Sequence, residues 1–428
     1  MRLFVLFSSL WIWGCATYPA RTQAAFDDFR RGHFEQALKE YSDPKTTGAP
    51  FLQWSEAGMV ALAAGNWTAA IDCLGKAARV VEETERKALV SPESAGETLL
   101  TWTLNESYSE YEGEGYERIL LHAALALAYL GRGDLEGARV ELRQSDALLQ
   151  SEQKLYAKEY KAGGLGHFLS AIAYELVGRP DEAYIDYKRM ESAGVGAELF
   201  GPALARLAQE LDDESGLELW RQRYGVEPQS HAGQASIVIV AGVGLGAYKQ
   251  ENTLTIPTES GLLQWSVPSY RTRPQPVQTV QLEVDGSQGT VGTVVVEDVS
   301  RVARENLEDR LAWLAAKSTV RAFLKRELSR QLQKDNGVGG AILGALFVLA
   351  TERADLRAWQ TLPDTWQAAR VFVSPGTHSL WLSAGMQRRT LGSIDLQPGE
   401  TAFLFVRTLD EEVHAHLVGG KQEKGATP

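Results

Sequence analysis

The phrase Gly32-His33-Phe34-Glu35-Gln36-Ala37-Leu38 returns as Gly65-Asn66-Trp67-Thr68-Ala69-Ala70-Ile71, 33 positions further on. Each copy has a glycine, a short spacer, an aromatic residue or leucine, and an alanine one turn later. Two more copies stand at Gly133-Asp134-Leu135-Glu136-Gly137-Ala138-Arg139 and Gly178-Arg179-Pro180-Asp181-Glu182-Ala183-Tyr184. An Ala-rich apolar stretch precedes the later copies, at Ala57–Ala64, Leu120–Leu130 and Phe168–Val177. Glycine permits a tight turn, and small alanines let two helices approach closely. The pattern predicts helix, glycine turn and helix, stacked through residues 24–225. That region is rich in Ala, Leu and Glu and poor in Pro, as helices require.

The recurring unit resembles the tetratricopeptide repeat, whose usual length is close to the step between the first two copies. Later spacings are longer, which implies an insertion near residues 85–118, carrying Tyr108, Tyr111 and Tyr116. Arrays of this kind present extended surfaces to peptides or partner helices. The resemblance therefore makes the turn residues Gly32, Phe34, Gly65, Trp67, Gly133 and Gly178 candidates for a protein-binding surface.

The texture changes at Val226-Glu227-Pro228-Gln229-Ser230. Ser236–Ala241 reads as a buried strand, and Val277–Val284 and Thr290–Glu297 alternate. A long helix is expected over Val302–Lys334, with an apolar, glycine-rich stretch after it at Gly337–Ala350. Beyond it, Ala368–Val373, His378–Ser383, Leu391–Leu396 and Thr401–Arg407 read as strands. Turns at Ser374-Pro375-Gly376-Thr377 and Gln397-Pro398-Gly399-Glu400 are expected to close two hairpins of a small β-sandwich or sheet. The fold class expected is thus multidomain: an N-terminal all-α, tetratricopeptide-like helical repeat array, then a C-terminal α+β domain (233–418) with β-hairpins and one long helix. Residues 419–428 are expected to be a disordered tail.

The phrase Asp355-x-Arg357-x-Trp359-x-x-Leu362-Pro363, with Gln367-Ala368-Ala369-Arg370 and the Ser374–Thr377 turn, carries a wider resemblance. It is similar to a family of uncharacterised bacterial lipoproteins that join such repeats to such a C-terminal domain. The resemblance implies a location and an architecture, and no activity. Asp355 and Arg357 are expected to fix a turn, with Trp359 packed on the sheet.

The chain opens with Arg2, the apolar run Leu3–Trp13 and then Gly14-Cys15. That is the order of a secretory signal, and the run is too short to span a membrane, which takes about 20 apolar residues. Ile12-Trp13-Gly14-Cys15 resembles a lipobox, although a small residue is usual where Trp13 stands. Residues 1–14 are therefore expected to be a lipoprotein signal peptide, Cys15 the lipidated residue, and 15–23 a lipid-anchored linker. Ala16, by resemblance to Gram-negative lipoproteins, favours the outer membrane facing the periplasm. The inner membrane and the cell surface stay open.

Of 55 acidic and 43 basic residues, 35 and 23 stand in residues 1–230, leaving 20 of each in residues 231–428. All the excess acidity lies in the first half, which disfavours nucleic acid as a partner there. Gly242-Val243-Gly244-Leu245-Gly246-Ala247 formally fits a dinucleotide fingerprint. Tyr248–Pro257, directly after it, reads as loop and strand, where that chemistry needs a helix N-terminus. No nucleotide or other cofactor is expected. His414 and His416 share a strand face with no third ligand at a telling spacing, so no metal site is expected. Lys317, Arg321 and Lys325 form one basic row and Arg326, Arg330 and Lys334 another. They read as a solvated face, with contact to anionic lipid as the alternative.

No catalytic residue stands out, and the expected role is that of a non-enzymatic scaffold or adaptor. Its partners would be envelope proteins or peptides, with the membrane reached through the lipid anchor. The alternatives are an accessory subunit of an envelope secretion, export or surface-structure machine, and an enzyme acting on cell wall or glycan.

Overall fold

The computed structural model describes residues 17–90, 111–156, 162–258, 261–286, 289–316, 355–410 and 412–423. Cys15, Tyr108, both basic rows and the Gly337–Ala350 segment lie outside the described residues.

The first half is helical. Its helices are α1 (Tyr18–Arg30), α2 (Phe34–Tyr41), α3 (Pro44–Thr47), α4 (Pro50–Ala63), α5 (Trp67–Val90), α6 (Gly115–Gly131), α7 (Leu135–Tyr156), α8 (Gly164–Leu176), α9 (Pro180–Ala193), α10 (Ala197–Glu210) and α11 (Glu214–Tyr224). The pairs α1–α2, α4–α5, α6–α7, α8–α9 and α10–α11 are helical hairpins.

Four of their turns are the glycine phrases: Gly32, Gly65, Gly133 and Gly178 take φ values of 72°, 70°, 77° and 69°. A left-handed residue ends the first helix, and its successor caps the second. The alanine five positions on donates its N–H to that successor's carbonyl, as Ala70 does to Asn66 and Ala138 to Asp134. Those alanines, Ala37, Ala70, Ala138 and Ala183, are fully buried where the paired helices touch. The turn from α10 to α11 has the same backbone, but Asp212 holds its left-handed position at φ 55°.

The linker expected at 15–23 is corrected in part. Helix α1 starts at Tyr18, because the buried Tyr18 hydroxyl reaches Glu56 Oε1 on α4 at 2.7 Å.

The second half is a β-sandwich. Its strands are β1 (Ala235–Val243), β2 (Tyr248–Thr258), β3 (Gly261–Arg271), β4 (Val280–Val284), β5 (Thr290–Gly292), β6 (Val294–Asp298), β7 (Thr365–Val373), β8 (Gly376–Ala384), β9 (Gln387–Leu396), β10 (Thr401–Leu409), β11 (Glu412–Val418) and β12 (Lys421–Glu423). One sheet has the order β11-β10-β1-β7-β6, the other β12-β9-β8-β4-β5, and β2–β3 form a separate hairpin. In the first sheet β10 runs parallel to β1, and the other neighbours are antiparallel.

The apolar run of β1 reflects burial on both faces. Ile237, Ile239 and Ala241 point into the sandwich with Leu404, Val406 and Val371. Val238 and Val240 point the other way, into a core shared with the helices and with Trp366, Phe403 and Phe405. The molecule is therefore three layers, helices on sheet on sheet.

Both Pro-Gly turns differ from expectation. Each is a sandwich corner: β7 and β8 lie in different sheets, as do β9 and β10. The hairpin is β8–β9, closed by Gly385-Met386 with Gly385 at φ 58°. The tail also departs from expectation. Gly419 and Gly420 at φ 88° and 61° carry the chain across to β12, which pairs with β9. The long helix, α12 (Val299–Ala316), begins earlier than expected because Asp298 Oδ1 accepts from Arg301 N at 2.8 Å.

Candidate functional site

The face carrying the first two glycine turns is covered by β10 and β11. A Cβ on Gly32 would stand 2.9 Å from the His414 ring, and one on Gly65 2.5 Å from that of His416. Phe34 meets His414 edge-on at 4.6 Å between ring centres, and Trp67 lies 4.9 Å from Phe405 and 5.7 Å from His416. The His416 Nε2–H donates to Ala63 O at 2.9 Å. The two-residue step along β11 thus matches one hairpin step along the array. Burial, with neighbouring positive charge, pushes His414 down to about 4 and also lowers His416. Both rings are neutral packing groups at pH 7, each seated on a glycine that leaves room for it.

Next to this seam lies the motif loop. Asp355 Oδ1 accepts from Arg357 N at 2.9 Å, and the Arg357 guanidinium closes on the same carboxylate at 2.7 Å while lying over the Tyr111 ring. This is the expected turn. Trp359 is buried in the core between helices and sheet, its ring 6.2 Å from that of Phe51 on α4, edge to face.

The helices grip the loop by its backbone. Trp359 N donates to Glu117 Oε1 at 2.7 Å, Gln360 N to Glu56 Oε1 at 2.8 Å, and Thr361 N to Glu56 Oε2 at 2.9 Å. Both glutamates are fully buried. Desolvation pushes Glu56 up to about 7 and raises Glu117 as well, the latter helped by the charge of Glu114.

The far side of the loop explains the glycine run after β1. A Cβ on Gly246 would come 3.2 Å from the carbonyl oxygens of Leu362 and Pro363, and Leu362 O accepts from Gly246 N at 2.9 Å. The run allows two backbones to touch, and it leads into strand β2. Arg407 is buried beneath, donating to Gly242 O, Gly244 O, Thr408 O and Thr361 O at 2.5–3.2 Å. Desolvation lowers its pKa to about 9.

A third carboxylate crosses the seam in the opposite direction. Glu297 on β6 accepts from Gly163 N at 2.9 Å and Leu165 N at 3.2 Å, capping α8. Burial pushes it up to about 7.

Concavities stay open among the described residues. A groove of about 580 Å³ separates α8 and α10 from β1, β7 and β10; within it Glu175 binds both Arg206 and Arg370, and His231 stacks on Phe372. A smaller cleft of about 230 Å³ lies among α7, α8 and α9. The turns at Gly133 and Gly178 are open too, since a Cβ on either would meet nothing within 4 Å. The six candidate turn residues therefore divide. Gly32, Phe34, Gly65 and Trp67 pack on the chain's own sandwich, while Gly133 and Gly178 face space. Among the described residues no group of three or more side chains is arranged to hold a metal.

Sequence reasoning missed Glu56, Glu117 and Glu297. The available signal was Glu56 standing as the single charge in the apolar stretch Pro50–Ala64. No family model, curated protein or solved structure matches this chain.

Proposed function

We propose that this chain is a lipid-tethered adaptor of the bacterial cell envelope. Its hairpins are of tetratricopeptide type, Cys15 carries the anchor, and the array binds an envelope protein or peptide from the periplasmic side. The observation that best supports the reading is the division of the turns. The turns of the first two hairpins pack on the sandwich through His414, His416 and Phe405, and the third and fourth keep open turns and a polar cleft. An adaptor needs that combination: a fixed frame and a free face. The net charge of the repeat half then calls for a basic partner, bound more weakly as salt screens the attraction.

Crosslinking in intact cells tests this, with mass spectrometry of what co-purifies with the native chain and with Cys15→Ser. The native chain is expected to capture a defined set of envelope proteins, and the variant to leave the membrane fraction and lose them. Capture of nothing specific by either form would sink the adaptor reading.

A further inference from the structure

Two buried N–H donors beneath the motif loop, Trp366 Nε1 and Arg407 Nε, have no acceptor among the described residues. Their residues are 2% and 3% exposed. Gly242 stands between them in the sheet, in register with Arg407 on β10 and with Trp366 on β7. Both side chains therefore rise from one face of the sheet with no side chain between them. A Cβ on Gly242 would come 3.2 Å from each of them. Both residues line one cavity of about 10 Å³, walled by Leu62 on α4, Leu127 on α6, and Val240 and Phe405 from the sheet. His416 also lines it, but spends its Nε2–H on Ala63 O at 2.9 Å. Buried polar atoms are rarely left unpaired, and two donors on one cavity call for an occupant that accepts.

The charge points the same way. Arg407 donates to the carbonyl oxygens of Gly242, Gly244, Thr408 and Thr361, and to no carboxylate among the described residues. Asp410, whose charge favours the guanidinium, is itself held by Arg30 at 2.7 Å. The Phe29 ring, 5.6 Å away, adds a cation–π contact but no negative charge. A buried cation without a counter-ion is costly, and an anion in the adjoining cavity offsets that cost. The volume suits one water-sized occupant, which excludes phosphate, sulfate and carboxylates. A water molecule could accept from both donors, but it would have two hydrogens of its own to place against apolar walls. A monatomic anion has none.

We propose that this cavity binds a halide ion, chloride being the physiological one, between Trp366 Nε1–H and Arg407 Nε–H. The ion would sit where α4 and α6 meet β7 and β10, so its binding stabilises the docking of helices on sheet by mass action. The site is independent of the adaptor reading.

The test is thermal unfolding of the full chain in sodium chloride and in sodium gluconate, an anion too large for the cavity, at constant ionic strength. The melting temperature is expected to rise with the logarithm of chloride concentration as gluconate is replaced. Trp366→Phe keeps an aromatic ring and removes one donor. It should need about tenfold more chloride for the same rise, through loss of a hydrogen bond to a charged group. A melting temperature no higher in chloride than in gluconate would overturn the site, as would an equal chloride response in Trp366→Phe. Crystals of the full chain grown in sodium bromide locate the ion directly and do not depend on the variant's folding. An anomalous peak within hydrogen-bond distance of Trp366 Nε1 and Arg407 Nε is expected. Bromide at surface positions alone, with water in the cavity, would overturn the proposal.

Discussion

Glu56 on α4 and Gln360 in the motif loop, 304 positions apart in the chain, are joined at 2.8 Å from backbone N–H to carboxylate. The same carboxylate takes Thr361 N and the Tyr18 hydroxyl, so one side chain ties α1, α4 and the loop together. Glu56→Ala would leave two backbone N–H groups buried and unpaired, at about 1–3 kcal/mol each. A loss of roughly 2–6 kcal/mol is expected from urea unfolding. Glu56→Gln should recover part of it only. Its amide nitrogen would face one of the same N–H groups and could not accept from it.

Stability should also fall as pH rises through neutrality. Burial lifts Glu56 and Glu297 from their ordinary 4.5 to about 7 in the folded chain. A carboxyl whose folded pKa is raised binds its proton more tightly folded than unfolded. Its stabilising contribution is complete below about 4.5 and is lost as pH rises through about 7. Glu297→Gln isolates the effect, because Gly163 N and Leu165 N donate to the same oxygen, which an amide oxygen can replace. The urea midpoint of this variant, measured at pH 5.5 and pH 8, should change less between the two than that of the native chain. Equal pH dependence in both would show that Glu297 carries no charge-linked cost.

Two glycines with the same backbone should differ sharply when replaced. Gly65 and Gly178 both take a φ near 70°. An alanine at either position carries the left-handed strain of about 1–2 kcal/mol. At Gly178 that is all, since nothing stands within 4 Å of the new Cβ. At Gly65 the Cβ would meet the His416 ring at 2.5 Å, so β11 must shift, adding about 1–3 kcal/mol of overpacking. Differential scanning calorimetry should rank Gly65→Ala well below Gly178→Ala. Equal losses would mean that His416 has room to move.

How much of this fold could be read from the sequence depended on the range of the forces involved. Four hairpin turns could be read because a left-handed residue at a helix end favours glycine, a constraint carried by a single residue. The fifth stayed hidden because Asp212 fills that position. The doubly buried strand was legible in Ile237–Val240, but not which layer each face would meet. The two Pro-Gly turns were legible as turns. Whether such a turn closes a hairpin or rounds a sandwich corner depends on strands elsewhere, and Pro375-Gly376 looks the same in either case. The grip of Glu56 and Glu117 on residues 359–361 was not legible at all. It exists only once the helices are stacked and the sandwich is docked, and a backbone N–H leaves no trace in side-chain pattern.

The hidden fifth turn yields the last prediction, a gain in stability. Asp212 is exposed and holds φ 55°, where an L-residue with a Cβ is strained. The capping work at this turn belongs to its neighbour: Asp213 Oδ1 accepts from Gly216 N at 2.9 Å, and Asp213 O accepts from Leu217 N at 2.9 Å. Asp212→Gly therefore removes strain without removing the cap. Against that gain stands the larger backbone freedom of glycine in the unfolded chain, about 0.4–1 kcal/mol. With the strain at about 1–2 kcal/mol, the balance should be a stabilisation of up to about 1.5 kcal/mol. It should appear as a raised urea midpoint with an unchanged slope. Asp213→Ala, which keeps the strain and removes the cap, should go the other way by about 1 kcal/mol. A lowered midpoint for Asp212→Gly would mean that aspartate is at ease in this turn, and that the resemblance of the fifth hairpin to the other four is confined to its backbone.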